Sequence, residues 1–199
     1  YQNWQHIVNI MADILDTTTA LISRLDHPYI EIIKTNTSSD NPHENEEIFK
    51  ITGHYCEKVI ENKEMLEIEN SLKNKNWGNN PELDHDLISY LGLPIETADG
   101  DIFGTICVLD KKERNYSRKH KELMLEFKKI VEIQLKNIDL NNKLNSRIKE
   151  IKGLKEKYQK LFNNINDPLF IHEYNRKSDK DKLGKFMEVN EKACENLGY

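Results

Sequence analysis

The side chains with chemical reach in this chain are three cysteines, Cys56, Cys107 and Cys194, and seven histidines. His54 and Cys56 flank Tyr55 in the stretch ITGHYCEKVIENK (51–63). On a helix, positions i and i+2 do not share a face, so this pair alone makes a poor metal site. His43, His85 or Cys107 could complete one through space, yet no ligand spacing recommends it, and no metal is expected. Cys107 falls in an apolar run and reads as a small core hydrophobe. Cys56 becomes a redox-sensing thiol if a helix N-terminus favours its thiolate. His172-Glu173 has the form of a phospho-acceptor, but it follows Pro168 in a strand-like run rather than lying on a dimerisation helix. Asp84-His85-Asp86 reads as a solvated loop, and Asp110-Lys111-Lys112 as a solvated strand end. No Gly-rich ATP loop and no other catalytic module is visible, so the chain is not expected to be an enzyme.

These residues need elements to hold them. Trp4, Ile7, Val8, Ile10, Met11, Ile14 and Leu15 recur at helical spacing and predict a helix over 2–16. ALISRLD (20–26) and YIEIIKTN (29–36) read as two strands joined at His27-Pro28. SSDNPHENE (38–46) is a polar loop. A helix is expected over 51–63, a short strand over 65–70, and an Asn-rich loop over 71–86 with a helical turn after Pro81. LISYLGLPIE (87–96) and IFGTICVLD (102–110) flank TADGD (97–101), an Asp-Gly turn between apolar runs. This hairpin is expected at the sheet centre.

From Ser117 the pattern changes. Ile130, Ile133, Asn137, Leu140, Leu144, Arg147, Ile151, Leu154, Tyr158, Leu161 and Ile165 alternate steps of three and four, which is heptad spacing. Asn137 and Arg147 are the polar members and can fix register at a cost in stability. A continuous helix over 117–165 would be about 70 Å long, and its seam implies a partner helix, hence a homodimer through 130–165. The alternative is a helix that folds back on its own domain. Beyond Pro168, LFIHEYN (169–175) and KFMEVN (185–190) read as strands around a charged turn, RKSDKDKLG (176–184), before a helix begins at EKACENLG (191–198).

Composition narrows the classes. The chain has 199 residues, 37% of them hydrophobic and 32% charged, with net charge −5. The pI is 5.9 and the mean hydropathy −0.75. Residues 1–115 carry 10 basic and 21 acidic side chains, residues 116–199 carry 19 and 13. The basic half mixes both signs along a helix, unlike the one-signed patch that nucleic acid requires, so no nucleic-acid partner is expected. No apolar run is long enough for a membrane span, and the start carries no basic secretory n-region. The first residue is Tyr rather than Met, so a piece of a longer protein is expected. The odd, dispersed cysteines suit a reducing cytoplasm.

The order helix, strand–strand, helix, strand, loop, strand–turn–strand, long helix resembles a GAF domain. SYLGLPIETADGDIFGTICVLD (89–110) looks like its central hairpin. TGHYCEKVI (52–60), followed by NWGNNP (76–81), resembles a subgroup found in multi-domain sensor kinases and cyclases. LFNNINDPLFIHEYN (161–175) with FMEVNEKACENLGY (186–199) is similar to the beginning of a PAS domain. The expected organisation is an α+β GAF core over 1–116, its C-terminal helix starting within it and running to about 137. A connecting helix over 117–165 follows, then an incomplete PAS-like segment over 166–199.

The resemblance implies a ligand pocket on one face of a central antiparallel sheet, roofed by 47–63 and 71–86. Phe49, His54, Tyr55, Cys56, Trp77, Asn80, Ser89 and Tyr90 are the candidates that follow: aromatic walls with a few polar groups suit a small ligand. Tyr55, Trp77 and Tyr90 read equally as core or lid packing. Haem through a lone histidine is known in some GAF sensors. The bilin-attachment context and the cyclic-nucleotide NKxDE-type motif are not found, and the cofactor stays unknown. The implied role is the sensory part of a cytoplasmic signal-transduction protein of the sensor histidine kinase type. A small ligand or redox state would be read in and passed through a dimeric helix to a downstream output domain. The alternatives are a thiol-dependent enzyme such as a GAF-fold methionine sulfoxide reductase, and a ligand-free GAF dimerisation module.

Overall fold

In the computed structural model, residues 3–173 and 185–198 are described, without the side chains of 172, 173, 185 and 186. The charged turn expected over 176–184 lies outside the described residues. Contacts divide the chain into two units, one ending at Asp139 and one starting at Leu140.

The first unit is built on a six-stranded antiparallel sheet. Helix α1 (Trp4–Leu15) leads into β1 (Thr19–Asp26), β2 (Tyr29–Thr35) and a short β3 (Ile48–Lys50). Helix α2 (Tyr55–Asn62) and β4 (Leu66–Ile68) follow. Three 3-10 turns, Ser71–Lys73, Lys75–Trp77 and Pro81–His85, fill the Asn-rich loop. Each is capped by the Asn before it, Asn70, Asn74 and Asn80, whose side chains accept from the backbone two residues on. The long hairpin β5 (Ser89–Glu96) and β6 (Ile102–Asp110) closes the sheet, and α3 (Arg118–Asn163) leaves it. The strand order β3-β2-β1-β6-β5-β4 puts β1 and β6 in the middle.

Both sheet faces are covered, so β5 is buried along nearly its whole length. Because strand side chains alternate, Leu91, Leu93, Ile95, Ile106 and Val108 meet α1 and the start of α3 on one face. Trp4, Val8 and Met11 supply the α1 side, and Met124, Phe127 and Val131 the α3 side. The other face carries Leu21, Tyr90, Cys107 and Leu109 against Tyr55, Cys56 and Val59 of α2. One element is added to the sequence reading and two local expectations are corrected. Residues 48–50 form an edge strand, paired through Glu31↔Ile48 to Tyr29↔Lys50. The helix expected from 51 starts at Tyr55, because Gly53 takes φ +88°, which breaks helical geometry before it. Asp110 is not solvated: it is 2% exposed, accepts from Thr18 Oγ1 at 2.8 Å and is paired with Arg114, which also reaches Asp16.

Helix α3 is one continuous element of 46 residues, opened by Ser117, whose Oγ accepts from the His120 N–H at 3.2 Å. It carries two stripes. Met124, Phe127 and Val131 face the sheet. The heptad positions form the other: Ile133, Leu140, Leu144, Ile151, Leu154 and Leu161 are each more than half exposed. Ile165 lies past the helix end. In the second unit, β7 (Phe170–Glu173) pairs antiparallel with β8 (Lys185–Val189), and α4 (Glu191–Leu197) follows. Buried Asn190 ties it together. Its Oδ1 accepts from Leu169 N and Ala193 N at 3.0 Å, and its Nδ2 donates to the carbonyls of Phe162, Ile165 and Asp167.

Candidate functional site

The site builds up from the sheet face under α2. Tyr90 points from β5 toward the helix, and Gly92, the next residue on that face, leaves room for its ring to lie flat along the strand. A Cβ at Gly92 would sit 2.1 Å from Tyr90 Oη. Gly92 pairs across the hairpin with Cys107, so the Tyr90 hydroxyl is delivered beside that thiol. From above, the first turn of α2 lowers Cys56 into the same space. Thr105 Oγ1 donates to Cys56 Sγ at 3.3 Å, and Tyr90 Oη lies 3.5 Å from it. Ser23 Oγ on β1 meets Thr105 Oγ1 at 2.8 Å. A buried polar string, Ser23–Thr105–Cys56–Tyr90, therefore runs through an otherwise apolar layer, with Cys107 against it.

Electrostatics separates the two thiols. A hydrogen bond from the Cys107 thiol lowers the Cys56 pKa most; burial opposes it, and the Thr105 and Tyr90 hydroxyls lower it further. The net direction is down. Burial pushes Cys107 well above the ordinary thiol range, and its bond to Cys56 adds to that. Burial likewise raises Tyr90 and lifts Tyr55 to about 12.

The roof is aromatic. Tyr55 packs on Tyr90 with ring centroids 5.0 Å apart and on Trp77 at 5.1 Å, and its hydroxyl donates to the Leu87 carbonyl at 3.3 Å. Beside it, Phe49 lies between His54 at 4.4 Å and His43 at 6.4 Å, and His43 meets His85 at 5.5 Å. His54 Nδ1 is 2.9 Å from Glu82 Oε1, both side chains being largely buried. Burial pulls the His54 pKa down, but the hydrogen bond and charge of Glu82 outweigh it and the net shift is upward from 6.5. Asn80 Nδ2 donates to the Gly53 carbonyl at 2.9 Å, clamping the loop to the α2 entry.

Seven of the eight expected residues thus gather around α2: Phe49, His54, Tyr55, Cys56, Trp77, Asn80 and Tyr90. Ser89 does not join them. It neighbours Tyr90 on β5 and so faces the opposite side, where its hydroxyl donates to the Asp110 carbonyl at 3.4 Å. The interior is filled by side chains: Tyr55, Tyr90 and Cys107 have no exposed surface, and Cys56 keeps 6%. Trp77 alone of the seven also lines an outer cleft of about 380 Å³, with Leu66, Asn70, Lys73 and Glu113. His54 and Cys56 diverge, one to Glu82 and one to the sheet. Among the described residues no group of three His, Cys, Asp or Glu is set to hold a metal ion. The sequence reading missed Ser23 and Thr105. Their signal was a small hydroxyl residue on the inward parity of two apolar strands.

Comparison with known proteins places this geometry. The family model described as the GAF domain matches residues 2–135. Among solved structures, the blue-light-absorbing PixJ GAF domain of Thermosynechococcus elongatus aligns with TM-score 0.61 and 11% identity, over 75% of this chain and 94% of that one. The GAF domain of a Bacillus halodurans two-component sensor histidine kinase aligns at 0.55 and 13%, over 69% and 96%. That of an Acinetobacter phosphoenolpyruvate-protein phosphotransferase aligns at 0.53 and 17%, over 72% and 83%. At such identities these neighbours speak to the fold alone. No curated protein sequence matches the chain. Among the described residues no helix is long and apolar enough to cross a membrane. With the family model spanning the sheet, α1, α2, the start of α3 and the chamber under α2, the chain belongs to the GAF domain family.

Proposed function

We propose that this chain is the sensory and regulatory region of a cytoplasmic signal-transduction protein of the sensor histidine kinase type, with no catalysis of its own. A small molecule or a change of thiol state at the α2 chamber is the input. Helix α3 carries it, as a homodimer, toward an output domain through a PAS-like segment. The observation that supports this most strongly is the bare seam on α3. A helix that leaves the GAF core unbroken and exposes Leu144 at 57%, Ile151 at 64%, Leu154 at 61% and Leu161 at 60% has apolar surface suited to a second copy of itself. Any input must bind or stabilise one arrangement of that helix pair over another, since equal affinity for both shifts nothing.

The filled chamber favours a second reading, a ligand-free GAF module that serves dimerisation, because a small molecule would have to displace Tyr55 or Trp77 to enter. It also weighs against a thiol-dependent methionine sulfoxide reductase, whose thiols must meet a bulky substrate. The test is a pair of variants. Leu144→Asp with Leu154→Asp is expected to give a single-chain mass by light scattering, while Lys149→Asp, off the seam, leaves the dimer intact. A dimer that survives the seam substitutions would end the transmission reading.

A further inference from the structure

We propose that Cys56 and Cys107 form a reversible thiol–disulfide pair, in which a peroxide oxidises Cys56 and Cys107 resolves it by linking α2 to β6. This deepens the sensory reading above and rests on it: it names the chemistry of the input at the same chamber. The placement carries it. Cys56 is the second residue of α2, so its sulfur lies at the positive end of the helix dipole. Thr105 Oγ1, donating at 3.3 Å, and Tyr90 Oη, 3.5 Å away, set hydroxyls around the sulfur, as a thiolate requires. Thr105 stands two residues before Cys107 on β6, hence on the same face, and Tyr90 Oη lies over Gly92, the cross-strand partner of Cys107. Both cysteines therefore lie in the same buried cluster on the sheet face under α2, with the Thr105 and Tyr90 hydroxyls beside the Cys56 sulfur. The charge asymmetry follows the roles: the Cys56 thiol is the more acidic, the fully buried Cys107 thiol the less.

The chemistry balances. The Cys56 thiolate attacks one peroxide oxygen; an S–O bond forms, the O–O bond breaks, and the departing hydroxide takes a proton and leaves as water. Sulfur is oxidised by two electrons to the sulfenic acid, and the peroxide is reduced by two. The Cys107 sulfur then attacks Cys56; the S–S bond forms, the S–O bond breaks, and the departing hydroxide takes the Cys107 proton as a second water. A small dithiol reductant reverses the link by exchange. The oxidant must be small, since Cys56 exposes 6% of its surface. The consequence is local and connected to α3: the link pins the first turn of α2 to β6, the strand that ends at Asp110 and is tied through Arg114 to the segment entering α3.

The experiment treats the full chain with hydrogen peroxide, denatures and alkylates it, and maps the three cysteines by mass. The expected product carries one alkylated cysteine, Cys194, and a Cys56–Cys107 peptide link about 2 Da lighter than the dithiol; dithiothreitol restores three alkylated cysteines. Cys56 is expected to react at least about tenfold faster than Cys194, although Cys194 is the more exposed. The proposal is overturned if Cys194 reacts first while Cys56 and Cys107 remain alkylatable. It is equally overturned if Cys56 stops at the sulfenic or sulfinic acid without a link, or if the link involves Cys194. The unmodified chain carries the test, so no variant needs to fold. Its failure leaves the oligomer measured through the α3 seam untouched, and a monomeric chain that still forms the link would sink only the transmission reading.

Discussion

Replacing Gly92 by alanine tests whether the chamber is as tightly filled as its distances indicate. The new Cβ would lie 2.1 Å from Tyr90 Oη, 2.4 Å from Cζ and 2.7 Å from Cε1, against an ordinary carbon contact of about 3.5–4.0 Å. The ring must therefore move by more than about 1 Å. It cannot do so freely: Tyr90 has no exposed surface, its ring rests on Tyr55, and its hydroxyl meets Cys56. Overpacking of this kind costs about 3 kcal/mol, the upper end of the usual range. Tyr90→Leu, which removes the obstructing ring and leaves a void, costs about 2–3 kcal/mol on its own. The two costs share one cause, so the double variant is expected to fall short of their sum by about 2 kcal/mol. Urea unfolding followed by tryptophan fluorescence reads this, because Trp4 and Trp77, the two tryptophans of the chain, both lie in the GAF unit. At a slope of about 2 kcal/mol/M, Gly92→Ala lowers the midpoint by about 1.5 M. Additivity within about 0.5 kcal/mol would refute the account of a locked Tyr90.

Three further outcomes are expected. His54 has a raised pKa in the folded chain, so the stability its pair with Glu82 confers is complete below the unfolded value of 6.5 and is lost as pH rises through the higher folded value. The urea midpoint should decline across that window, and Glu82→Gln should flatten the decline. Gly153→Ala, at a helix-interior position where a Cβ meets nothing within 4 Å, should stabilise that part of α3 by up to about 1 kcal/mol, read as slower amide exchange over residues 148–158. Asn190→Ala removes both acceptor and donor groups from a buried junction and should cost about 2 kcal/mol, seen as faster exchange at Leu169 and Ala193 while the GAF sheet stays protected.

Legibility in the sequence followed the length of each pattern. The β5–β6 hairpin was readable because an Asp-Gly turn separates two long apolar runs, and α1 because seven apolar positions keep helical spacing. The seam of α3 was readable for the same reason, whereas its sheet-facing stripe of Met124, Phe127 and Val131 was overlooked beside it. Strand β3 was not readable: three residues at a sheet edge give no alternation to count. Asp110 looked solvated because Thr18 lies 92 positions away and only the fold brings it near. The chamber was found as a neighbourhood, through resemblance, and its wiring was not. Cys56 meets Thr105 across 49 positions, and Ser23 meets Thr105 across 82. The placement of Ser89, by contrast, was within reach, since two adjacent strand residues cannot face the same way.

The central claim is that two copies lie together along α3, and sedimentation equilibrium of the unaltered chain over a wide concentration range measures it most directly. The account predicts a species of twice the 23.4 kDa chain mass, persisting into the low micromolar range. A mass of 23.4 kDa at high micromolar concentration would contradict it.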